Sequence, residues 1–521
     1  MKRRTSSHIS SRALAFVWVL LLHAFETVAT ETNSPVSAEV RRLPLDECIR
    51  TALLQNRALQ IERLNPAIAQ SWLSASYGYY DPIFTVDARS EDSSDSGGFD
   101  PADFSRDAVF TADSEVARGA LIGFLPGGMS YTFSGGYAHS EGFRNGLNFE
   151  SYSLQTGVAI RQPLLRDFWI DQGRMTIQVN KKNLTITELG VHYVAMDVIN
   201  RMQLAYYELS SAIGEARVRR ELLETRRQLL ASVRRKIEMG TLTVLDEHLA
   251  DAQVAAVEAD LTVADNAVQL AENELKSLLG DAWTNSIHLR LEPSDLLLVL
   301  PEQFDLQQCW HRGLTTRPDL AQLRQDVAKA ATDLKFRRNQ LFPSLDLVAG
   351  HSRKGASTEQ LLPPLSPSAS LSTARDQISD GDAPSDLVGL VLTVPLGRTA
   401  QRANFRASKH AKAQAELRVK QFEEQVMREI SDAIHTARSR FDRVALTRRS
   451  RELSEGALNA ENQKLAGGKS TLFFVLQLQN DLASARAAEV RAKADYNQAL
   501  SQLRFAEGSL LDQLSITLEI Q

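Results

Sequence analysis

Cysteine is nearly absent from this chain: 521 residues hold only Cys48 and Cys309. That scarcity excludes a disulfide-dense scaffold. Beyond the first thirty or so residues no apolar run approaches the roughly 20 residues of a spanning helix. A mature chain that meets a membrane would therefore do so through β-strands or a surface. An excess of one charge is also lacking. The net charge is −5, and Lys and Arg are interleaved with Glu and Asp, so no nucleic acid is implied as a partner. No HExxH, CxxC, P-loop, nucleotide-binding glycine pattern or GxSxG elbow occurs. His192, His248, His311, His351, His410 and His435 are scattered without ligand spacing. No catalytic residue, cofactor or metal ligand is assigned. Finally, proline is missing from residues 164–238 and 396–466. Nothing there forces a break in a helix.

What is present is a duplication. Residues 45–87 match 306–348 at a constant offset of 261: Leu45, Cys48, Leu53, Leu59 and Pro82 meet Leu306, Cys309, Leu314, Leu320 and Pro343. A second run matches at 228, where Gly240, Thr243 and Gly280 meet Gly468, Thr471 and Gly508. The expected layout is a signal segment over 1–29, a first repeat over 30–301 and a second over 302–521. The N-terminus supports the first item. Lys2, Arg3, Arg4 and Arg12 precede an apolar run from Ala13 to Phe25, and small residues follow. That order is the secretory one; the alternative is an uncleaved anchor. Residues 30–42 read as a loose start to the mature chain. Cys48 and Cys309 occupy equivalent places, and paired core positions account for them better than a disulfide does.

Each half predicts two short helices, over 45–56 and 58–80 and over 306–317 and 319–341. A proline then breaks the helix and a strand begins. Strands alternate at 84–88, 152–162, 345–349 and 387–394, with one apolar face and one small or polar face. That pattern suits a half-buried soluble sheet or the wall of an outer-membrane barrel. Residues 91–106 and 353–386, rich in Ser, Asp, Gly or Pro, read as mobile exposed loops. A further strand-like pair, 116–123 and 130–139, has no counterpart in the second half and reads as an insertion.

Long helices follow, over 164–238 and 396–466, and shorter ones return over 243–279 and 471–505. Val191, Val194, Val198, Met202, Tyr206, Leu209, Ile213 and Ala216 pair at offset 228 with Val419, Phe422, Val426, Ile430, Ile434, Ala437, Phe441 and Val444. The extra steps of four relax the left-handed twist that a strict heptad imposes. Such helices can stand nearly straight beside several neighbours. One long helix could pack against two stacked shorter ones, as in a tube wall. A duplicated helical wall offers no evident concave site, which disfavours an exported enzyme.

Four stretches carry a family resemblance: IRQPLLRD and LTVPLGR at the strand-to-helix joints, and EMGTLTVLDEHLADA and LAGGKSTLFFVLQLQ at the helical turns. In this order, twice, they make the chain resemble the TolC-like outer-membrane efflux proteins over about residues 43–512. The resemblance implies a mainly α fold with β. Long antiparallel hairpins would form an α-barrel, and four strands per chain would join a trimeric 12-stranded transmembrane barrel. It implies a homotrimer in outer-membrane lipid, coupled through a periplasmic adaptor (membrane fusion) protein to an inner-membrane transporter. It places the periplasmic tips at Gly240, Thr243, Gly468 and Thr471. A plain helix–turn–helix corner would also explain these residues. The resemblance sets gate carboxylates just past each tip. Asp246 fits, but the matching positions after Gly468 are Phe474 and Gln477. A constriction lined by Phe473 or Phe474 is the expectation there, against the alternative that Phe474 packs between helices. The leading reading is a passive exit duct for small molecules or an exported protein; the rival is a soluble periplasmic coiled-coil or adaptor-type protein.

Overall fold

A computed structural model describes residues 40–95, 110–144, 147–240, 242–280, 289–359 and 368–516. The expected signal segment lies outside these residues. In chain order the elements are β1 (Val40–Leu43), α1 (Leu45–Gln55), α2 (Arg57–Tyr77), β2 (Ile83–Asp95), β3 (Phe110–Leu125), β4 (Met129–Arg144), β5 (Leu147–Pro163), α3 (Gln172–Glu238) and α4 (Val244–Leu278). The second half gives β6 (Arg290–Pro293), α5 (Leu306–Thr316), α6 (Pro318–Asn339), β7 (Ser344–Thr358), α7 (Leu371–Asp380), β8 (Pro384–Thr393), α8 (Thr399–Ala466), α9 (Leu472–Ala506) and α10 (Leu510–Gln513).

The helices form one wall. α3, with 67 residues, spans about 100 Å. On one flank it packs against α2 above and α4 below; on the other it packs against α6 above and α9 below. α8 then packs along α6 and α9. The stacking of short helices beside a long one follows from the lengths, since α2 and α4 hold 21 and 35 residues. The junctions are built alike from different residues. Asn56 caps α2 by accepting from the amides of Ala58 and Leu59, and its Nδ2 donates to the Leu278 carbonyl at the end of α4. Arg317, its counterpart at offset 261, donates to Asp319, Glu429 and the Ala506 carbonyl at the end of α9. Gly280 at φ +72° lets α4 end against this joint; a Cβ there would lie 2.1 Å from the Gln55 carbonyl oxygen.

The apolar seams are where the spacing puts them. Val191, Val198, Met202, Tyr206, Leu209 and Ala216 are buried, packing with Cys48, Ile49, Ala52 and Leu275. Val426, Ile430 and Ile434 pack with Cys309 and Leu503, and Val444 packs with Tyr496. Both cysteines are buried free thiols in separate clusters, and burial pushes each up to about 12. Among the described residues no helix is long and apolar enough to cross a membrane.

The strands depart from expectation in number. One antiparallel sheet runs β2-β3-β4-β5-β7-β8, six strands and not four. The pair set aside as an insertion is its second and third strands, each 16 residues long. Two loop expectations also shorten. Residues 91–95 continue β2, and within 353–386 the chain extends β7 to Thr358, forms α7 and enters β8 at Pro384. Residues 40–42, expected to be loose, join Leu43 in a parallel pair with β6. The first long helix starts at Gln172 and not near Leu164, because Asp167 (φ 67°) and Trp169 (φ 56°) turn the chain and Asp171 accepts from the Arg174 amide as the cap.

Candidate functional site: the sheet faces and the helical tips

Two regions of the wall carry groups not explained by packing. The first is the sheet. Phe84, Leu121, Phe133 and Val158 lie opposite one another across four strands, and Ala349, Val388, Leu347 and Leu390 continue the same face. The opposite face is mostly small or polar, with Thr85, Arg118, Ala120, Thr132, Ser134, Gln155, Arg161 and Asp346, interspersed with apolar side chains such as Ile83, Ile122, Leu387 and Val391. Phe84, Val86, Val388, Leu390 and Leu392 are each well exposed in the single chain. An apolar face left bare opposite a polar one is wrong for a soluble sheet and right for a wall between lipid and water. The edge strands β2 and β8 each have one unpaired side among the described residues. Hydrocarbon does not tolerate such edges.

Aromatic side chains gather at the end near the helices. Tyr79 stacks on Phe124 at 5.2 Å, and Phe168 meets Trp169 edge to face at 6.1 Å. At the far end the apolar face turns acidic: Asp92, Asp113, Glu141 and Glu150 lie in one cross-strand row. His139, Glu141 and Glu150 bring ligand atoms within 4.8 Å of one another. His139 Nε2 and the Tyr152 hydroxyl already sit at 3.3 and 2.8 Å from Glu150, which explains this grouping without an ion.

The second region is the helical end. Gly240 and Gly468 adopt φ +71° and +67°, the left-handed conformation that reverses each hairpin. At the first tip the Thr243 amide and hydroxyl donate to Asp246 at 2.9 and 2.7 Å. These bonds hold the Asp246 carboxyl below the usual carboxylate range. Asp246 is thus engaged as the cap of α4. At the second tip Thr471 begins α9 with no side-chain cap, while Ser470 donates to Glu461. Phe473 and Phe474 meet edge to face at 5.8 Å and are 57% and 54% exposed. Within this chain Phe474 does not pack between helices. Gln477 Nε2 donates to Asp481 at 3.3 Å.

Two residues here escaped the sequence reading. Asp481 is an exposed carboxylate one turn beyond Gln477. The steps Phe474–Gln477–Asp481, three and four residues, could have revealed that stripe. Arg226, on α3, is only 1% exposed. Its Nη2 donates to the Leu476 carbonyl (2.7 Å) and Asn480 Oδ1 (2.9 Å), while Nε and Nη1 find no partner. Burial pushes the guanidinium down to about 10. Its signal was an arginine at a seam position between Leu223 and Leu230. Arg226 ties the first hairpin to the second beside the exposed stripe. Further back, Arg491 meets Glu208 at 2.6 Å and the Ser501 hydroxyl donates to Asn200 at 2.8 Å.

The comparisons agree with this geometry. The family model described as outer membrane efflux protein matches residues 129–281 and 311–509. The chain is 24% identical over 424 residues to the outer membrane efflux protein BepC of Brucella suis, covering 80% of this chain and 84% of that protein. It is 22% identical to the outer membrane protein TolC of Escherichia coli, covering 78% of each, and 25% identical to the proteases secretion protein PrtF of Dickeya chrysanthemi, covering 79% and 85%. Among solved structures it shares its fold with CusC (TM-score 0.64, 16% identity, 92% of this chain and 95% of that one) and with VceC of Vibrio cholerae (TM-score 0.63, 17%, 89% and 96%). With more than half its length matched, this chain belongs to the outer membrane efflux protein family and is an outer-membrane protein.

Proposed function

We propose that three copies of this chain close into a passive duct through which an efflux or secretion system empties to the exterior. The observation that carries this reading is the sheet, apolar on one face and polar on the other, running directly into a helical wall about 100 Å long. A single six-stranded sheet leaves two bare edges, and closure with other copies removes them. The helical wall is open in the same sense. α2 exposes Ile61, Ile68 and Trp72 at one margin, and α8 exposes Leu417, Leu446 and Leu453 at the other. A neighbouring copy would cover both.

The tips at Gly240–Thr243 and Gly468–Thr471 are proposed to dock a periplasmic adaptor (membrane fusion) protein, which joins the duct to an inner-membrane transporter. No energy source or cofactor belongs to the duct itself. The proposed closure uses Phe473 and Phe474 as an apolar constriction, with Gln477 and Asp481 lining the passage behind it and Asp246 holding the first tip in shape. Planar-bilayer recordings test this. The purified detergent complex is expected to be trimeric and to conduct, with Phe474→Ala raising conductance or altering cation block. Recovery as a detergent-free monomer would sink the duct, and unchanged conductance in Phe474→Ala would sink the apolar gate.

A further inference from the structure

We infer that this chain places all six strands in the membrane wall, so that the assembled barrel has 18 strands and an exit as wide as the helical tunnel beneath it. The inference rests on the duct reading above and concerns its outer half. The β3–β4 hairpin is not a flap on a four-stranded sheet. All of β2 pairs with β3, and β4 pairs with β5 from Ser130 to Arg144, so removing the hairpin would leave β2 and β5 without a shared ladder.

The inserted strands carry the same zones as their neighbours, in register with them. At the helix end, the Pro126–Gly127–Gly128 turn is short and packed. The Trp169 amide donates to the Gly127 carbonyl, and a Cβ on Gly128 would lie 2.5 Å from the Asp167 carbonyl oxygen. Above it, Leu121 and Ala117 on β3 and Tyr131, Phe133 and Tyr137 on β4 lie on the apolar face, with Phe84 and Val158 in the cross-strand row of Leu121 and Phe133, and Leu154 in that of Ala117 and Tyr137. Arg118, Ala120, Thr132 and Ser134 lie on the polar face. From Met129 to Tyr137 is eight steps, roughly 27 Å along the strand, or about 20 Å along an axis tilted by 40°. That approaches the band of about 25 Å in outer-membrane barrels. Above the band, Asp113 and Glu141 fall in the acidic row begun by Asp92 and ended by Glu150. A hairpin standing clear of the membrane would have no reason to repeat this order.

The widths agree as well. Each chain presents four helices side by side at the joint, α2, α3, α6 and α8. At 8–10 Å apart they cover an arc of about 32–40 Å. Six strands at 4.8 Å spacing and 40° tilt cover about 38 Å, whereas four would cover about 25 Å. The six-stranded sheet therefore continues the helical wall without a neck. Selection of cargo then falls to the helical tips, and a bulky or partly folded cargo that clears them meets no narrower passage.

Site-directed spin labelling tests the wall. Single cysteines at residues 117–121 and 132–136 are labelled in the full-length protein in lipid nanodiscs, with Val158 and Ala159 as controls. Cys48 and Cys309, being buried, supply the unlabelled blank. Access to oxygen and to a water-soluble nickel chelate is expected to alternate with period two, in phase with the controls. Nickel access at every hairpin position, with the controls still alternating, would overturn the inference and leave the duct intact. Loss of alternation in the controls too would overturn the duct reading itself. Axial cryo-EM images of the nanodisc complex give a second readout: 18 strands support the inference and 12 overturn it.

Discussion

α3 and α8 are the same helix twice, yet they live in different surroundings. Their seams pair residue for residue at offset 228, and their lengths are 67 and 68. α3 buries 23 residues and α8 buries six. Sequence quality does not explain the gap, because the shared seam is covered in both. The difference is position: α3 has packed neighbours on both flanks, whereas α8 has them on one. A duplicated element shows which of its faces serve the chain and which are left for a partner. By that measure the surplus exposure on α8 marks the face that the proposed duct would give to a neighbouring copy.

Leu446→Glu combined with Leu453→Glu on α8 is expected to dissociate the proposed trimer while leaving the helical content of each chain unchanged. Multi-angle light scattering and circular dichroism in detergent would show this. Trimers that survive the pair would mean that the α8 margin is simply solvated. Next come the seams, which should respond equally. Met202→Ala and its counterpart Ile430→Ala remove fully buried side chains and should each cost about 2–5 kcal/mol in thermal or denaturant unfolding. A marked inequality would mean that the halves are not equivalent in the core either. Arg226→Met should stabilise the chain by about 1–3 kcal/mol, because an unpaired buried charge is exchanged for a well-fitting apolar chain. The sign follows from the depressed guanidinium. The charged form is disfavoured by burial below about pH 10, so the penalty operates throughout the neutral range. A lowered melting temperature would show that the bonds to Leu476 and Asn480 outweigh it. The smallest effect belongs to the first tip. Thr243→Ala should cost about 1 kcal/mol as a lost cap, while Thr471→Ala, with no side-chain cap to lose, should cost less. The carboxyl of Asp246 lies below its usual range, so its share of the tip's stability is present above the unfolded value near pH 4. That share is lost as pH falls through the lower folded value.

Much of this was legible because helices announce themselves locally. The seam steps, the proline-free stretches and the tip glycines fixed the wall, its turns and the stacking of short helices on long ones. The sheet was less legible. Where Asp113, Glu115, Glu141 and Glu150 begin, carboxylates replace apolar side chains on the face that carries Leu121 and Phe133, so the alternation fades and the strands looked shorter than they are. Gly135 and Gly136 weakened β4 further. The β1–β6 pair joins residues about 250 apart over four positions each, and nothing local marks it. At the tips, the residue types were readable but their employment was not. Asp246 has the spacing of a gate carboxylate and the geometry of a cap. Arg226 looked like one more solvated arginine among Arg219, Arg220 and Arg227, all of which are paired at the surface.

The stacked helices have a mechanical consequence. α2 meets α4, and α6 meets α9, at the level of Gln55–Gly280 and Arg317–Gly508, while α3 and α8 run through that level unbroken. The wall is built like masonry, with continuous beams between columns that have butt joints at one height. Axial load passes along the beams, and bending concentrates at the joints. A swing of the lower hairpins about this belt would cost the capping bonds at the butt joints and a gentle curvature of α3 and α8, which cross it unbroken. The strands above, fixed to the other side of the joint, would keep their seat in the membrane.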